Sequence, residues 1–226
     1  MTTRICLIGL PRCGSQYISE LIVLNSPHSI KGLSEPFTPR HELSLNNLDI
    51  SITDFNSYKE QVSTVIDKIK LFNNDQPLMM KIFLHSWSPL QEHDRIIQVL
   101  KELNFTFVIV KRKNIVDQLF SLGIGLKLNK FTNFDSYDNS VVKLDWNELL
   151  SMKTLQDDLV KFDNLLNKFN LTNCTTIYYE TAISDITKFL GKNIRTYTRY
   201  KRMSTIPSAD RISNIDEVLK FLNITI

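Results

Sequence analysis

The chain is poor in the residues that mark specialised protein classes. Among 226 residues there are three cysteines, Cys6, Cys13 and Cys174. Their number is odd, their spacing is wide, and no Cys-x-x-Cys or Cys/His ligand set occurs. A disulfide scaffold and a zinc site are therefore not expected, and no metal is assigned. Six glycines and seven prolines are too few for a collagen-like or low-complexity chain. No apolar run reaches the ~18–20 residues of a membrane-spanning helix, so no membrane span is expected. Neither sign of charge dominates, with 27 Lys plus Arg against 24 Asp plus Glu and a formal net charge of +3. That balance excludes a polybasic nucleic-acid tail and hints only at an anionic partner. Met1-Thr2-Thr3-Arg4 leads straight into an apolar stretch with no small-residue cleavage site, so the expected location is the cytoplasm.

What is present is an ordinary globular balance, 42% hydrophobic and 23% charged. The expectation is one domain over 1–226 with its own core. No internal repeat or long linker interrupts it. Strand and helix patterns alternate. The apolar run at 4–10 reads as a buried strand, 105–111 as the clearest strand, and 78–84 and 174–179 as strands. Helical spacing covers 15–25, 55–72, 91–103, 114–122, 145–169, 182–190 and 213–223. Gly191 is the expected C-cap of the sixth helix and Ser213 the N-cap of the last. Residues 34–54 look irregular, and 127–144 read as a polar loop. Continuous apolar strands alternating with helices predict an α/β fold, a mainly parallel sheet flanked by helices in three layers. In such folds ligands bind at the carboxyl ends of the strands.

Gly9-Leu10-Pro11-Arg12-Cys13-Gly14-Ser15-Gln16 joins the first strand to the first helix. Gly9 and Gly14 have the G-x4-G spacing of a P-loop. Such a turn aims N–H groups and the positive end of a helix dipole at one point, which suits phosphate or sulfate. Yet Ser15 stands where a P-loop has its lysine, and Gln16 where it has the Mg²⁺-binding hydroxyl. The cation is Arg12 instead. A kinase or NTPase using ATP and Mg²⁺ is thereby disfavoured. Spacing alone leaves open a plain strand-to-helix turn. Cys6 and Arg12 also satisfy Cys-x5-Arg, a phosphatase pattern, but Cys6 falls inside the strand and the spacer is apolar. A second anion site is legible in Lys111-Arg112-Lys113-Asn114, three cations at a strand end before a helix. The rival reading of that run is a solvated surface.

Pro11-Arg12-Cys13-Gly14-Ser15-Gln16-Tyr17 resembles the phosphosulfate-binding loop of sulfotransferases that use PAPS (3′-phosphoadenosine 5′-phosphosulfate). Cys13 stands for the usual serine and Gln16 for the usual second hydroxyl. Arg112 followed nine residues later by Ser121 resembles that family's 3′-phosphate motif. Tyr178-Tyr179-Glu180 and Phe189-Leu190-Gly191 resemble its Tyr-Glu-Asp-Leu strand end and Phe-Leu-Gly, with Thr181-Ala182 in place of Asp-Leu. Lys201-Arg202 and the following residues loosely resemble its closing basic loop.

The resemblance implies a P-loop NTPase-like sulfotransferase fold and in-line transfer of a sulfuryl group from PAPS to a hydroxyl or amine. It implies donor binding by Arg12, Cys13, Gly14, Ser15, Gln16, Tyr17, Arg112, Ser121, Tyr179, Lys201 and Arg202. Arg12 would also steady charge during transfer. Glu35, in Gly32-Leu33-Ser34-Glu35-Pro36-Phe37, is the first choice of general base, because several family branches carry Glu-Pro-Phe after a short second strand. His85 is the second choice, four residues after Lys81 where cytosolic branches have two. Lys81 would aid the sulfuryl or leaving group. The acceptor would be a small molecule, glycan or lipid, with no nucleic-acid partner. Neither it nor the oligomeric state is legible. A nucleotide kinase and a non-catalytic nucleotide-binding member of the family are the alternatives.

Overall fold

The computed structural model describes residues 4–26, 29–38, 46, 48–51, 56–72, 77–84, 90–130, 139–196 and 207–225. Five strands form one parallel sheet: β1 (Arg4–Gly9), β2 (Lys31–Gly32), β3 (Leu78–Phe83), β4 (Thr106–Lys111) and β5 (Cys174–Tyr178). Seven helices accompany them among the described residues. They are α1 (Ser15–Asn25), α2 (Tyr58–Leu71), α3 (Leu90–Glu102), α4 (Ile115–Leu128), α5 (Trp146–Phe169), α6 (Ala182–Leu190) and α7 (Ile215–Leu222). None is long and apolar enough to cross a membrane.

All six residues of β1 are buried, as a strand covered on both faces must be. Its alternation sorts side chains into two cores. Ile5 and Leu7 join Met79, Val108, Val110 and Ile177 beneath α1 and α6. Cys6 and Ile8 join Met80, Ile82, Phe107 and Ile109 beneath the remaining helices. The expected three layers are therefore present.

The strand order is β2-β3-β1-β4-β5. From β1 the chain moves to one edge, returns to β3, then crosses to β4 on the other side of β1. The direction of winding reverses at β1, and at such a reversal loops splay apart and leave a crevice. Gly9 lies beside Phe83 in register, and Lys111 beside Tyr178. The motif-bearing segments after β1, β3, β4 and β5 thus leave from one edge.

Two helix boundaries and one short strand differ from expectation. Helix α4 continues past residue 122 to Leu128, through Gly123 and Gly125. A Cβ at Gly123 would lie 2.5 Å from Met152 Sδ, so this glycine is where α5 packs closely. Asn129, at φ 51°, closes that helix. Helix α7 starts at Ile215 with Asn214 in the capping position. Ser213 does not cap it. Its N–H and hydroxyl donate to Val142 O at 2.9 and 3.3 Å, beside a Val142–Ile212 bridge. The two-residue β2 is too short for any periodicity. By contrast, Gly191 closes α6 at φ 65° as expected.

Gly123→Val should overpack the α4–α5 contact and destabilise the fold by about 1–3 kcal/mol. Thermal or denaturant unfolding would show a lowered midpoint. An unchanged midpoint would contradict the close approach.

Candidate functional site

The turn after β1 is held by close contacts. Cys13 N–H donates to Leu10 O at 3.3 Å. A Cβ on Gly9 would meet Cys13 Sγ at 2.7 Å and Val110 O at 3.2 Å. Gly14 sits at φ 89°, where a side chain is strained, and any Cβ there would run into the Tyr179 ring. Arg12 adopts φ 63° without being glycine, a conformation uncommon enough to signal a functional constraint. Helix α1 begins at this turn with no side-chain cap on Gly14 and no acidic residue in its first turn. Its positive end therefore faces the crevice without a carboxylate in that turn.

The two cysteines near the turn are inert. Burial pushes the Cys6 thiol far up, and the residue lies in the core rather than at the sheet edge. That geometry removes the Cys-x5-Arg reading. Burial also raises Cys13, outweighing its contacts to Ser15 and the charge of Lys81.

Two arginines face each other across the turn. Arg12 Nε and Nη2 donate to Ser121 Oγ on α4 at 3.1 and 3.0 Å. Burial, and then the neighbouring charge of Arg112, push Arg12 down to about 10, so it stays cationic at neutral pH. Arg112 donates to Arg12 O at 3.4 Å and pairs with Asp117. Its Nε lies 3.9 Å from Glu180 Oε1, and its guanidinium stands 4.9 Å from the centre of the Tyr179 ring. Tyr17 meets the same ring edge-on at 5.8 Å. Gln118, buried in α4, donates to Pro11 O at 2.7 Å and so ties the turn to that helix.

Lysine 81 of β3 forms the other wall. Only 5% exposed, its Nζ donates to Gln16 Oε1 and lies 3.0 Å from Glu35 Oε1. Gln16, which replaces a hydroxyl in the resemblance, thus bridges the turn to a lysine. Glu35 lies in the segment that follows β2 and still runs beside β3: Leu33 N–H donates to Met79 O at 2.8 Å, and Lys81 N–H to Ser34 O at 2.6 Å.

One cluster therefore gathers Arg12, Cys13, Gly14, Ser15, Gln16, Tyr17, Glu35, Lys81, Arg112, Ser121 and Tyr179. The basic run after β4 is divided. Arg112 turns inward, Lys111 pairs with Asp163 on α5, and Lys113 lies over the Tyr178 ring at 5.3 Å. His85, Lys201 and Arg202 lie outside the described residues. Sequence reasoning missed two acids. Asp117 pairs with Arg112, and its N–H donates to Asn114 Oδ1, the cap of α4, at 2.9 Å. Glu180 accepts from the N–H groups of Lys113 and Asn114 at 3.0–3.1 Å. An Asn-x-x-Asp start signals the first. Nothing local signals the second, which comes from the 3₁₀ turn Tyr179–Thr181 after β5.

No family model and no curated protein matches this chain. Among solved structures it is similar to a mouse sulfotransferase complexed with PAP, with TM-score 0.45 and 14% identity, covering 99% of this chain and 60% of that one. The chain thus spans 60% of the length of that relative. It is also similar to a sulfotransferase from Alicyclobacillus acidocaldarius, with TM-score 0.47 and 13% identity, covering 99% of this chain and 95% of that one. Both are likenesses of overall architecture. What the cluster can do is argued from its own residues.

Burial works to raise the Glu180 carboxyl, but the Lys113 and Asn114 amides and Arg112 outweigh it and hold it below its ordinary 4.5. A lowered carboxyl stabilises the fold above its ordinary value and loses that contribution as pH falls through the lowered one. Glu180→Gln should lower the melting temperature at neutral pH, and the gap to wild type should close below about pH 4.5. A gap independent of pH would contradict the assignment.

Proposed function

We propose that the chain is a PAPS-dependent sulfotransferase. The observation that carries this reading is the convergence of Arg12, Arg112 and Lys81 on the uncapped start of α1, with the Glu35 carboxylate 3.0 Å from Lys81. Cations and helix N–H groups of this kind suit a doubly anionic nucleotide. The adjoining carboxylate suits proton removal from an acceptor.

In this reading Arg112 and Ser121 hold one phosphate of the donor, and the α1 start with Arg12 holds the phosphosulfate. Tyr179 and Tyr17 offer aromatic surface to the base. Glu35 takes the proton of the acceptor hydroxyl as its oxygen forms a bond to sulfur. The bond from sulfur to the phosphate oxygen breaks in line, and the electron pair leaves with adenosine 3′,5′-bisphosphate (PAP). Lys81 and Arg12 offset the charge that builds on that oxygen. Positioning and fixed charge supply most of the acceleration, as in phosphoryl transfer. Lys201, Arg202 and His85 are proposed on the resemblance alone. The acceptor is a small molecule, glycan or lipid. A kinase reading lacks a lysine at Ser15, which instead contacts Cys13.

Transfer of labelled sulfate from PAPS to a panel of monosaccharides, sterols and simple alcohols tests the reading. Glu35→Gln should lower kcat roughly 10²- to 10⁴-fold while PAP affinity holds. His85→Asn should leave both near wild type. The reverse pattern would move the base to His85, and no transfer with any acceptor would defeat the enzyme reading.

A further inference from the structure

The segment that carries Glu35 is held from outside the sheet. Ser34 sits at φ 52°, and Thr38 N–H closes a turn on Glu35 O at 3.0 Å. The next three carbonyls are all taken by side chains of α2. Gln61 Nε2 donates to Pro36 O at 3.4 Å and to Thr38 O at 3.0 Å. Tyr58 Oη donates to Phe37 O at 2.7 Å. Tyr58 and Gln61 are three residues apart and so share one face of the helix.

Gln61 is out of keeping with its surroundings. It is 1% exposed, on a helix whose other buried residues are Val62, Val65, Ile66 and Ile69. An amide in such a place is costly unless fully bonded, and a methionine of similar length would pack there without that demand. Its hydrogen bonds go to the two carbonyls that bracket Phe37, next to the carboxylate that faces Lys81. Phe37 itself is buried, so the turn is anchored by packing and by these donors together.

We infer that Gln61, aided by Tyr58, is the positioning residue for Glu35. This rests on the reading of Glu35 as base. Helix α2 acts as a splint: its core face fixes the helix, and its amide and phenol fix the peptide planes on either side of Phe37. The direction of the Glu35 side chain follows from those planes. Removing the donors frees three carbonyls to seek other partners and lets the carboxylate drift from the acceptor. Misplacement of a reacting group by about 1 Å can cost on the order of 10²-fold in rate.

The test uses full-length protein, PAPS and the best acceptor from the panel. Gln61→Met should lower kcat roughly ten- to a hundred-fold, with PAP affinity changed less than about two-fold. Tyr58→Phe, a gentler change that keeps the ring, should lower kcat by a few-fold in the same sense. In a Glu35→Gln background, Gln61→Met should add almost nothing, since the group it positions is gone. Unchanged kcat in both single variants would overturn the inference. So would an equal loss from Gln61→Met with and without Glu35, which marks a general structural effect. A wild-type protein that neither binds PAP nor transfers sulfate would overturn the underlying reading, and the positioning role with it. Wild-type transfer that is indifferent to Gln61 and Tyr58 would overturn the positioning role alone.

Discussion

The charge of Arg112 beside the buried side of Arg12 is the constraint around which the carboxyl edge of the sheet is organised, with Lys81 on the other wall. Each cation has a partner from a different element. Arg12 has Ser121 of α4, Arg112 has Asp117 and Glu180, and Lys81 has Gln16 and Glu35. Burial, and then the charge of Arg112, push Arg12 down to about 10. A dense anion placed among these groups would relieve the repulsion that the protein's own acids only partly offset. The reversal of strand order at β1 makes the crowding possible, because it brings the ends of β1, β3, β4 and β5 to one crevice.

Much of this was legible from residues. The buried strands announced themselves as continuous apolar runs, and α1, α6 and their ends fell where spacing and Gly191 put them. The G-x4-G turn and the basic strand end were visible as local patterns. Gln16 was visible only as a departure from a family pattern. Its pairing with Lys81 depends on the register between β1 and β3, which no local pattern encodes. The division of the Lys111-Arg112-Lys113 run is likewise a tertiary matter, settled by Asp163 on one side and the Tyr178 and Tyr179 rings on the other. The extension of α4 past residue 122 is a tertiary matter too: at Gly123 a missing side chain, which weakens a helix alone, permits a close contact between two helices. Gln61 reads in sequence as a polar residue on an amphipathic helix, and only its burial and its two carbonyl partners give it meaning.

The site has two walls. The loop, α1 and the β4–α4 turn present positive charge. The segment after β2, splinted by α2, presents the carboxylate. Lys81 stands between them and touches both through Gln16 and Glu35. The cationic turn and the candidate base thus meet at one buried ammonium.

In the proposed reading this edge holds a bis-phosphorylated nucleotide and not a triphosphate with magnesium. Titration calorimetry of the purified protein with PAP, and separately with ATP and Mg²⁺, tests it most directly. Saturable PAP binding that is lost in Arg112→Ala is expected, with little heat from ATP and Mg²⁺. Binding of ATP and Mg²⁺ with none of PAP would contradict it.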